Sequence, residues 1–283
     1  MQYKGFKLLT IRIDRGVAFV TIDNPPINLL NMQLLMELNK FARKVSKDDE
    51  VKVIVFDSAD PEFFIAHFDV ESLLTAPDEA PPKPVQPGGM HPVLEAYRVM
   101  PKVSIAMIEG ICRGGGSEFV LALDMRFGAL GKAVFAQPEI SIGIIPGGGS
   151  SQRLPRLMGR SRALEVILSG MDFSAKLAEQ YGYINRALPP DKLRGFVEEL
   201  AYRIAQSPAE SIALAKQAVL TAMELPLKEG LIEEQYLFGQ STAFPSAKER
   251  MKVFMGLGGQ TREVESNFSG LIDEFLSKFE KND

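Results

Sequence analysis

Residues Ile108-Glu109-Gly110-Ile111-Cys112-Arg113-Gly114-Gly115-Gly116-Ser117-Glu118 end an apolar run, pass through three consecutive glycines and open a helical pattern. Glycine lets backbone approach a ligand closely. A helix start presents unpaired N–H groups and a partial positive charge. Together these features can hold a developing oxyanion; on the residues alone, a tight turn that packs helix on strand is the commoner use of such a pattern. The glycine and lysine spacings of a dinucleotide fingerprint or a P-loop are absent. Glu118 stands at the start of the expected helix, where it suits either chemistry or the helix dipole. Glu139 lies in Phe135-Ala136-Gln137-Pro138-Glu139-Ile140, ahead of Ser141-Ile142-Gly143-Ile144-Ile145-Pro146-Gly147-Gly148-Gly149. Among so many apolar neighbours it reads as a desolvated carboxylate suited to proton transfer, or as an exposed turn residue. A third segment, Glu62-Phe63-Phe64-Ile65-Ala66-His67-Phe68-Asp69-Val70, follows an expected strand and can present a second backbone N–H. His67 is a candidate general base, though a lone histidine beside aromatics is more often packing or a hydrogen-bond post.

The elements that must position these residues follow from periodicity. Residues 8–13 and 17–22 alternate around Asp14-Arg15-Gly16 and predict a hairpin, closed by Asn24-Pro25-Pro26. Helical spacing of Leu34, Leu35, Leu38, Phe41, Ala42 and Val45 predicts a helix over 32–45. Residues 51–56 and 103–108 read as buried strands, and 125–130 and 133–135 as short ones. A strand, a helix and a further strand imply a right-handed crossover. Helices are expected over 93–100 and 117–124. After about residue 150 the pattern turns helical: 151–158, 161–169, 174–181, 190–205, 209–224, 227–240, 246–255 and 264–279. A β/α front with a helical back places the chain in the α/β class. The Pro/Gly-rich stretch 76–92 predicts a surface loop, either a neutral insertion or a lid. No internal repeat is visible in the sequence.

Composition bounds the function. The chain has 283 residues, 46% hydrophobic and 24% charged, which suits one large domain or a core with an appendage. A net charge of −4 offers no field for a polyanion. One cysteine and two histidines supply neither an intrachain disulfide nor a metal-ligand pattern, so no metal is expected. Met1-Gln2-Tyr3-Lys4-Gly5 lacks an apolar signal region and no membrane span is evident, which gives an expectation of cytoplasmic location.

Taken together, the ordered segments resemble the enoyl-CoA hydratase/isomerase (crotonase) family. The matching stretches are 64–69, 108–118 and 137–154, with further agreement at 163–170 and 174–182. The resemblance spans about residues 8–255 with order and spacing preserved. It implies a spiral of ββα units over 1–205 and a helical assembly region over 206–283, in homotrimers or hexamers. It implies that the N–H groups of Phe68 and Gly115 form an oxyanion hole. Glu118 and Glu139 fall on the two glutamate positions that hydratases use. Ala66, His67, Gly114, Pro146 and Gly147 fall at substrate-contacting positions. The implied substrate is an acyl-CoA thioester. No cofactor is expected beyond the coenzyme A of the substrate, and no nucleic acid or membrane is an expected partner. His67 and Phe68 stand where many relatives carry small residues, and residues 255–260 break the terminal helix differently, which touches the assembly geometry and part of the coenzyme A site.

The expected activity is hydration of a 2-enoyl-CoA. A Δ3-Δ2-enoyl-CoA isomerase, which needs only one glutamate, is the nearest alternative within the family; other acyl-CoA lyases and hydrolases follow. A non-catalytic binding protein on the same fold is disfavoured by retention of both glutamates. A serine peptidase of related fold finds no Ser-His-Asp arrangement here.

Overall fold

The structure, a computed structural model, describes residues 3–75, 77–79 and 81–279. Thus Met1 and Gln2 of the expected N-terminal reading, Ala76 and Ala80 of the 76–92 loop, and the end of the expected helical region after 279 lie outside the described residues.

The chain opens with the hairpin β1 (Leu9–Asp14) and β2 (Val17–Ile22), then α1 (Met32–Val45). Asn31 caps α1, its side chain accepting from the Leu34 N–H, and Arg43 and Lys44 sit in the last turn, where cations suit the dipole. Three strand–strand–helix units follow. The first is β3 (Val53–Ser58), β4 (Phe63–Ile65), the short α2 (Val70–Leu73) and α3 (His91–Val99). The second is β5 (Val103–Ile108), β6 (Ile111–Arg113) and α4 (Gly114–Ala122). The third is β7 (Met125–Ala129), β8 (Val134–Ala136), a 3-10 turn (Pro138–Ile142) and α5 (Ser150–Met158). Then come α6 (Arg160–Ser169), β9 (Phe173–Ser174), α7 (Ala175–Tyr181), β10 (Arg186–Leu188) and α8 (Pro190–Ala205). The C-terminal region is helical: α9 (Ala209–Ala222), α10 (Leu227–Ala243), α11 (Pro245–Gly256), α12 (Arg262–Glu265) and α13 (Phe268–Ser277).

The first strand of each unit enters a six-stranded sheet, ordered β1-β2-β3-β5-β7-β10; the second enters a four-stranded sheet, ordered β4-β6-β8-β9. Among the described residues only β1–β2 and β8–β9 pair antiparallel. The result is the expected spiral of ββα units. β3, β5 and β7 are buried along nearly their whole length because both faces of the sheet are covered. Leu193, Val197 and Ala201 of α8 cover one face; Leu34, Leu38 and Phe41 of α1, with Tyr97 and Phe119, cover the other. Phe56, Tyr97 and Phe119 meet edge to face at 5.2–5.5 Å, a geometry favoured by ring quadrupoles. This cluster seats α4 through the residue next to Glu118.

Several expectations need correction. β4, β6, β9 and β10 are strands of two or three residues, too short for periodicity to reveal. The helix expected from 117 begins at Gly114, so the glycines form its first turn rather than a loop before it. The helix expected over 264–279 is two, because Ser266 and Asn267 leave the helical path between α12 and α13. Residues 81–89 are irregular and exposed, as the prolines dictate. In the small sheet β4 and β6 are out of step: Phe63 faces Ile111 and Ile65 faces Cys112, so β4 carries one extra residue, a bulge. Among the described residues no helix is long and apolar enough to cross a membrane.

Candidate active site

The candidate residues emerge just after β4, β6 and β8, neighbours in the small sheet. After β4, the chain from Ala66 to Asp69 is held by residues 27–30: the Ala66 N–H donates to Ile27 O, Leu30 N–H to His67 O, and Asp69 N–H to Leu30 O. That bridge uses groups on either side of Phe68 and leaves the Phe68 N–H without a partner among the described residues. Asn28, at positive φ and buried, braces the stretch from below, its amide donating to Ser58 Oγ and the Phe64 carbonyl.

After β6, α4 opens against this segment. A Cβ on Gly115 would lie 2.8 Å from Phe68 Cβ and 3.1 Å from Phe68 N. A Cβ on Gly116 would strike the Ile65 carbonyl. Close approach, not a need for flexibility, therefore requires glycine here, and it overrides glycine's poor helix propensity. Gly115 is in the first turn of α4, where N–H groups lack intrahelical acceptors. Two main-chain donors, Phe68 and Gly115, are thus brought side by side.

Glu118 sits in the second turn of α4, beyond the reach of a simple helix-start role, and is 3% exposed. Its Oε1 accepts from the Gly148 N–H at 2.6 Å and from the Ser150 N–H at 3.2 Å. Burial raises its proton affinity, while the N–H groups of Ser150, Gly148 and Gly149 and the Arg153 cation pull it back. After β8, Glu139 stands in the 3-10 turn, 9% exposed. Its Oε2 has no hydrogen-bond partner among the described residues. Burial pushes its carboxyl up to about 7, and the Glu118 charge adds to the rise. The two carboxylates therefore sense each other across the site.

Gly114 is the meeting point: a Cβ there would lie 3.0 Å from Glu139 Oε1 and 3.4 Å from His67 Cβ. The His67 Nδ1–H donates to the Phe68 carbonyl at 2.8 Å, which makes the ring a brace for the Phe68 peptide. Ala66 is buried and its N–H is occupied, so it supports the turn rather than offering a donor. Pro146 is buried and Gly147 exposed, immediately before the Gly148 peptide that holds Glu118.

Sequence reasoning overlooked four residues. Asn28 gives no signal beyond following two prolines. Gly148 was read only as part of a run. Arg153 donates to the Gly148 carbonyl at 2.9 Å. Met90, at the end of the 76–92 loop, places its sulfur where a Cβ on Gly148 would meet it at 2.8 Å, beside Glu118 Oε2 at 2.6 Å. The loop thus delivers a side chain to the site.

The sequence profile of the enoyl-CoA hydratase/isomerase family matches residues 12–259. This chain belongs to that family. Among enoyl-CoA hydratase/isomerase relatives, it is 32% identical over 253 residues to the "Probable enoyl-CoA hydratase echA8" of Mycobacterium bovis, covering 88% of this chain and 95% of that one. It is 30% identical over 240 residues to the "Short-chain-enoyl-CoA hydratase" of Clostridium acetobutylicum, covering 84% and 91%. The solved enoyl-CoA hydratase of Bacillus anthracis superposes with a TM-score of 0.81 at 26% identity, covering 88% of this chain and 96% of that one. The crotonase spiral expected from the family resemblance is the fold observed.

Proposed function

We propose that this chain is an enoyl-CoA hydratase, adding water across a 2-enoyl-CoA double bond to give a 3-hydroxyacyl-CoA. The observation that carries this reading is the pair of buried, mutually sensing carboxylates, Glu118 and Glu139, beside the Phe68 and Gly115 amides. The names of its relatives, hydratases in each of the cases above, support it.

In this reading the thioester carbonyl accepts the Phe68 and Gly115 N–H groups. Glu118, ionised and oriented by Gly148 and Ser150, takes a proton from water as the water oxygen bonds to C3. The double-bond electrons move into the thioester, leaving an enolate oxygen on the two donors; losing one such donor costs ~2.7–4 kcal/mol. Glu139, which burial keeps largely protonated up to about 7, delivers a proton to C2. Hydrogen goes to C2 and hydroxyl to C3, with no change of redox state. The proton on Glu118 returns to Glu139 before the next turnover, and the coupled pair can share both tasks. Ala66, His67, Gly114, Pro146 and Gly147 form the walls around the thioester, and the Phe68 ring adds bulk that restricts the acyl group. Coenzyme A enters as part of the substrate, so no separate cofactor is required. A homotrimer or hexamer is the assembly we assign, supported by the exposed apolar side chains Val219, Leu227, Ile232 and Phe238 of α9 and α10.

Crotonyl-CoA hydration followed in wild-type, Glu118→Gln and Glu139→Gln protein tests the reading. Each variant is expected to fold and to lose at least ~100-fold in kcat. Undiminished turnover in either removes that residue from the mechanism. Turnover of a 3-enoyl-CoA with 2-enoyl-CoA left untouched makes the chain an isomerase instead.

A further inference from the structure

We propose that Arg153, held in place by Glu95, is a positioning residue that fixes the Gly148 peptides and thereby sets the orientation and charge of Glu118. The inference rests on the base role given to Glu118 above.

The geometry points to a clamp. Gly148 is gripped on both sides of its Cα. Its N–H donates to Glu118 Oε1 at 2.6 Å, and its carbonyl accepts from Arg153 Nη1 at 2.9 Å. Two separate peptide planes are fixed, one by the carboxylate and one by the guanidinium. Gly149, next in the chain, has φ +114, a conformation that other residues rarely adopt. A Cβ there would collide with the Arg153 guanidinium, so the turn is wrapped directly onto this side chain. Arg153 itself is the fourth residue of α5, the helix whose first residue, Ser150, gives Glu118 its second N–H. The carboxylate thus takes two donors from one turn, and one side chain anchors that turn.

Arg153 is itself held. Its Nη2 meets Glu95 Oε1 on α3 at 2.5 Å, and its side chain is 15% exposed. Glu95 Oε2 in turn accepts from Arg98 Nε at 2.6 Å, and Arg98 Nη1 reaches Glu224 Oε1 at 2.9 Å. A planar fork with both arms engaged loses little freedom when it positions a neighbour. Arg153 reaches the carboxylate through Gly148, so it is not a catalytic residue; a shift of about 1 Å in the group it positions is enough to cost ~100-fold in rate.

The charged group acting on Glu118 is Arg153 from α5, which favours its ionised form; Glu139 in the 3-10 turn is the acidic neighbour whose own proton affinity the Glu118 charge raises. Glu95 on α3 reaches it only through Arg153. Tyr97, packed on Phe119, and Tyr183, bonded to Ser117, flank α4 as neutral phenols. Removing the Arg153 cation takes away one of the groups that oppose burial and loosens the turn that carries the Gly148 and Ser150 N–H groups, so Glu118 ionises at higher pH.

The test uses the full chain as wild type, Arg153→Met, Arg153→Lys and Glu95→Gln. Crotonyl-CoA kinetics are measured across pH, and the Glu118 carboxyl is titrated by NMR in protein carrying 13C-carboxyl glutamate, its signal assigned by its loss in Glu118→Gln. For Arg153→Met a ~10–100-fold fall in kcat with KM within about three-fold is expected. Its acid limb and the Glu118 titration should both move up by about one pH unit. Arg153→Lys should restore part of the loss, and Glu95→Gln should shift the titration the same way by less. The proposal is overturned if Arg153→Met keeps the wild-type limb and titration, or if its lost activity merely matches lost folded protein while Glu118 titrates as before. Should Arg153→Met not fold, an unshifted Glu118 in Glu95→Gln overturns it. A wild type inactive on crotonyl-CoA sinks the functional reading alone, because the NMR titration still decides the role of Arg153.

Discussion

At the scale of single residues, Glu139 sits in surroundings that penalise its charge. It is buried, one oxygen lacks a partner among the described residues, and its carboxyl is pushed up to about 7. The native state therefore binds a proton that the unfolded chain, with an ordinary glutamate near ~4.3, has already released. The stabilisation this gives is complete below the unfolded value and is lost as pH rises through the folded one. Urea denaturation of wild type should accordingly show stability falling between pH 5 and 8 more steeply than in Glu139→Gln, with the glutamine variant the more stable at pH 8. A parallel pH dependence in the two proteins would mean that Glu139 is solvated. Catalysis should follow the same proton: kcat/KM is expected to decline above about pH 7 as the dyad loses it. Both carboxylates were candidates in the sequence, but the glycines before one and the apolar neighbours around the other suited structural roles too; the family resemblance is what paired them. Their support was not legible, because Gly148, Arg153 and Met90 act through a backbone turn and a loop end that no spacing rule connects to Glu118.

At the scale of elements, the long pieces and the short β8 could be read, whereas β4, β6, β9 and β10 could not. The parallel strands β3 and β5 and the helix α1 announce themselves by mostly apolar runs or 3.6-spaced apolar residues. β4 and β6, which aim the donors, are three residues each and leave no period. The start of α4 was misread because three glycines look like a loop until their neighbours are known. Two substitutions separate these meanings of glycine. Gly115→Ala brings a methyl to 2.8 Å from Phe68 Cβ, and should cost ~1–3 kcal/mol of stability and about 100-fold in kcat/KM. Gly195→Ala, exposed in the middle of α8 with nothing within 4 Å of its Cβ, should instead raise stability by ~0.5–1 kcal/mol without touching turnover. Thermal denaturation and crotonyl-CoA assays of the two proteins read both effects.

At the scale of the molecule, the spiral is a repeat of arrangement without a repeat of sequence, since each ββα unit packs against different neighbours. The helical end was legible as helices, yet not how it is fastened. Lys216 of α9 provides one fastening: its ammonium reaches Asp124 at 2.8 Å and the carbonyls of Lys102 and Tyr97 at 2.8 and 3.2 Å. Lys216→Met takes the cation from a partly buried carboxylate that keeps only its Ser104 donors and should cost ~1–3 kcal/mol in chemical denaturation; a loss near zero would mean that α9 is held by its apolar contacts alone. The same scale gives the β4 bulge its meaning. Phe68, Gly115 and Glu139 ride on three adjacent strands, so the distance between donors and acid is metered by how those strands are counted off against each other. The surplus residue in β4 is a spacer in that count. Excising Phe64 would draw the Phe68 amide back by one step, ~3.3 Å, leaving a well-knit pair of sheets whose anion cradle no longer closes.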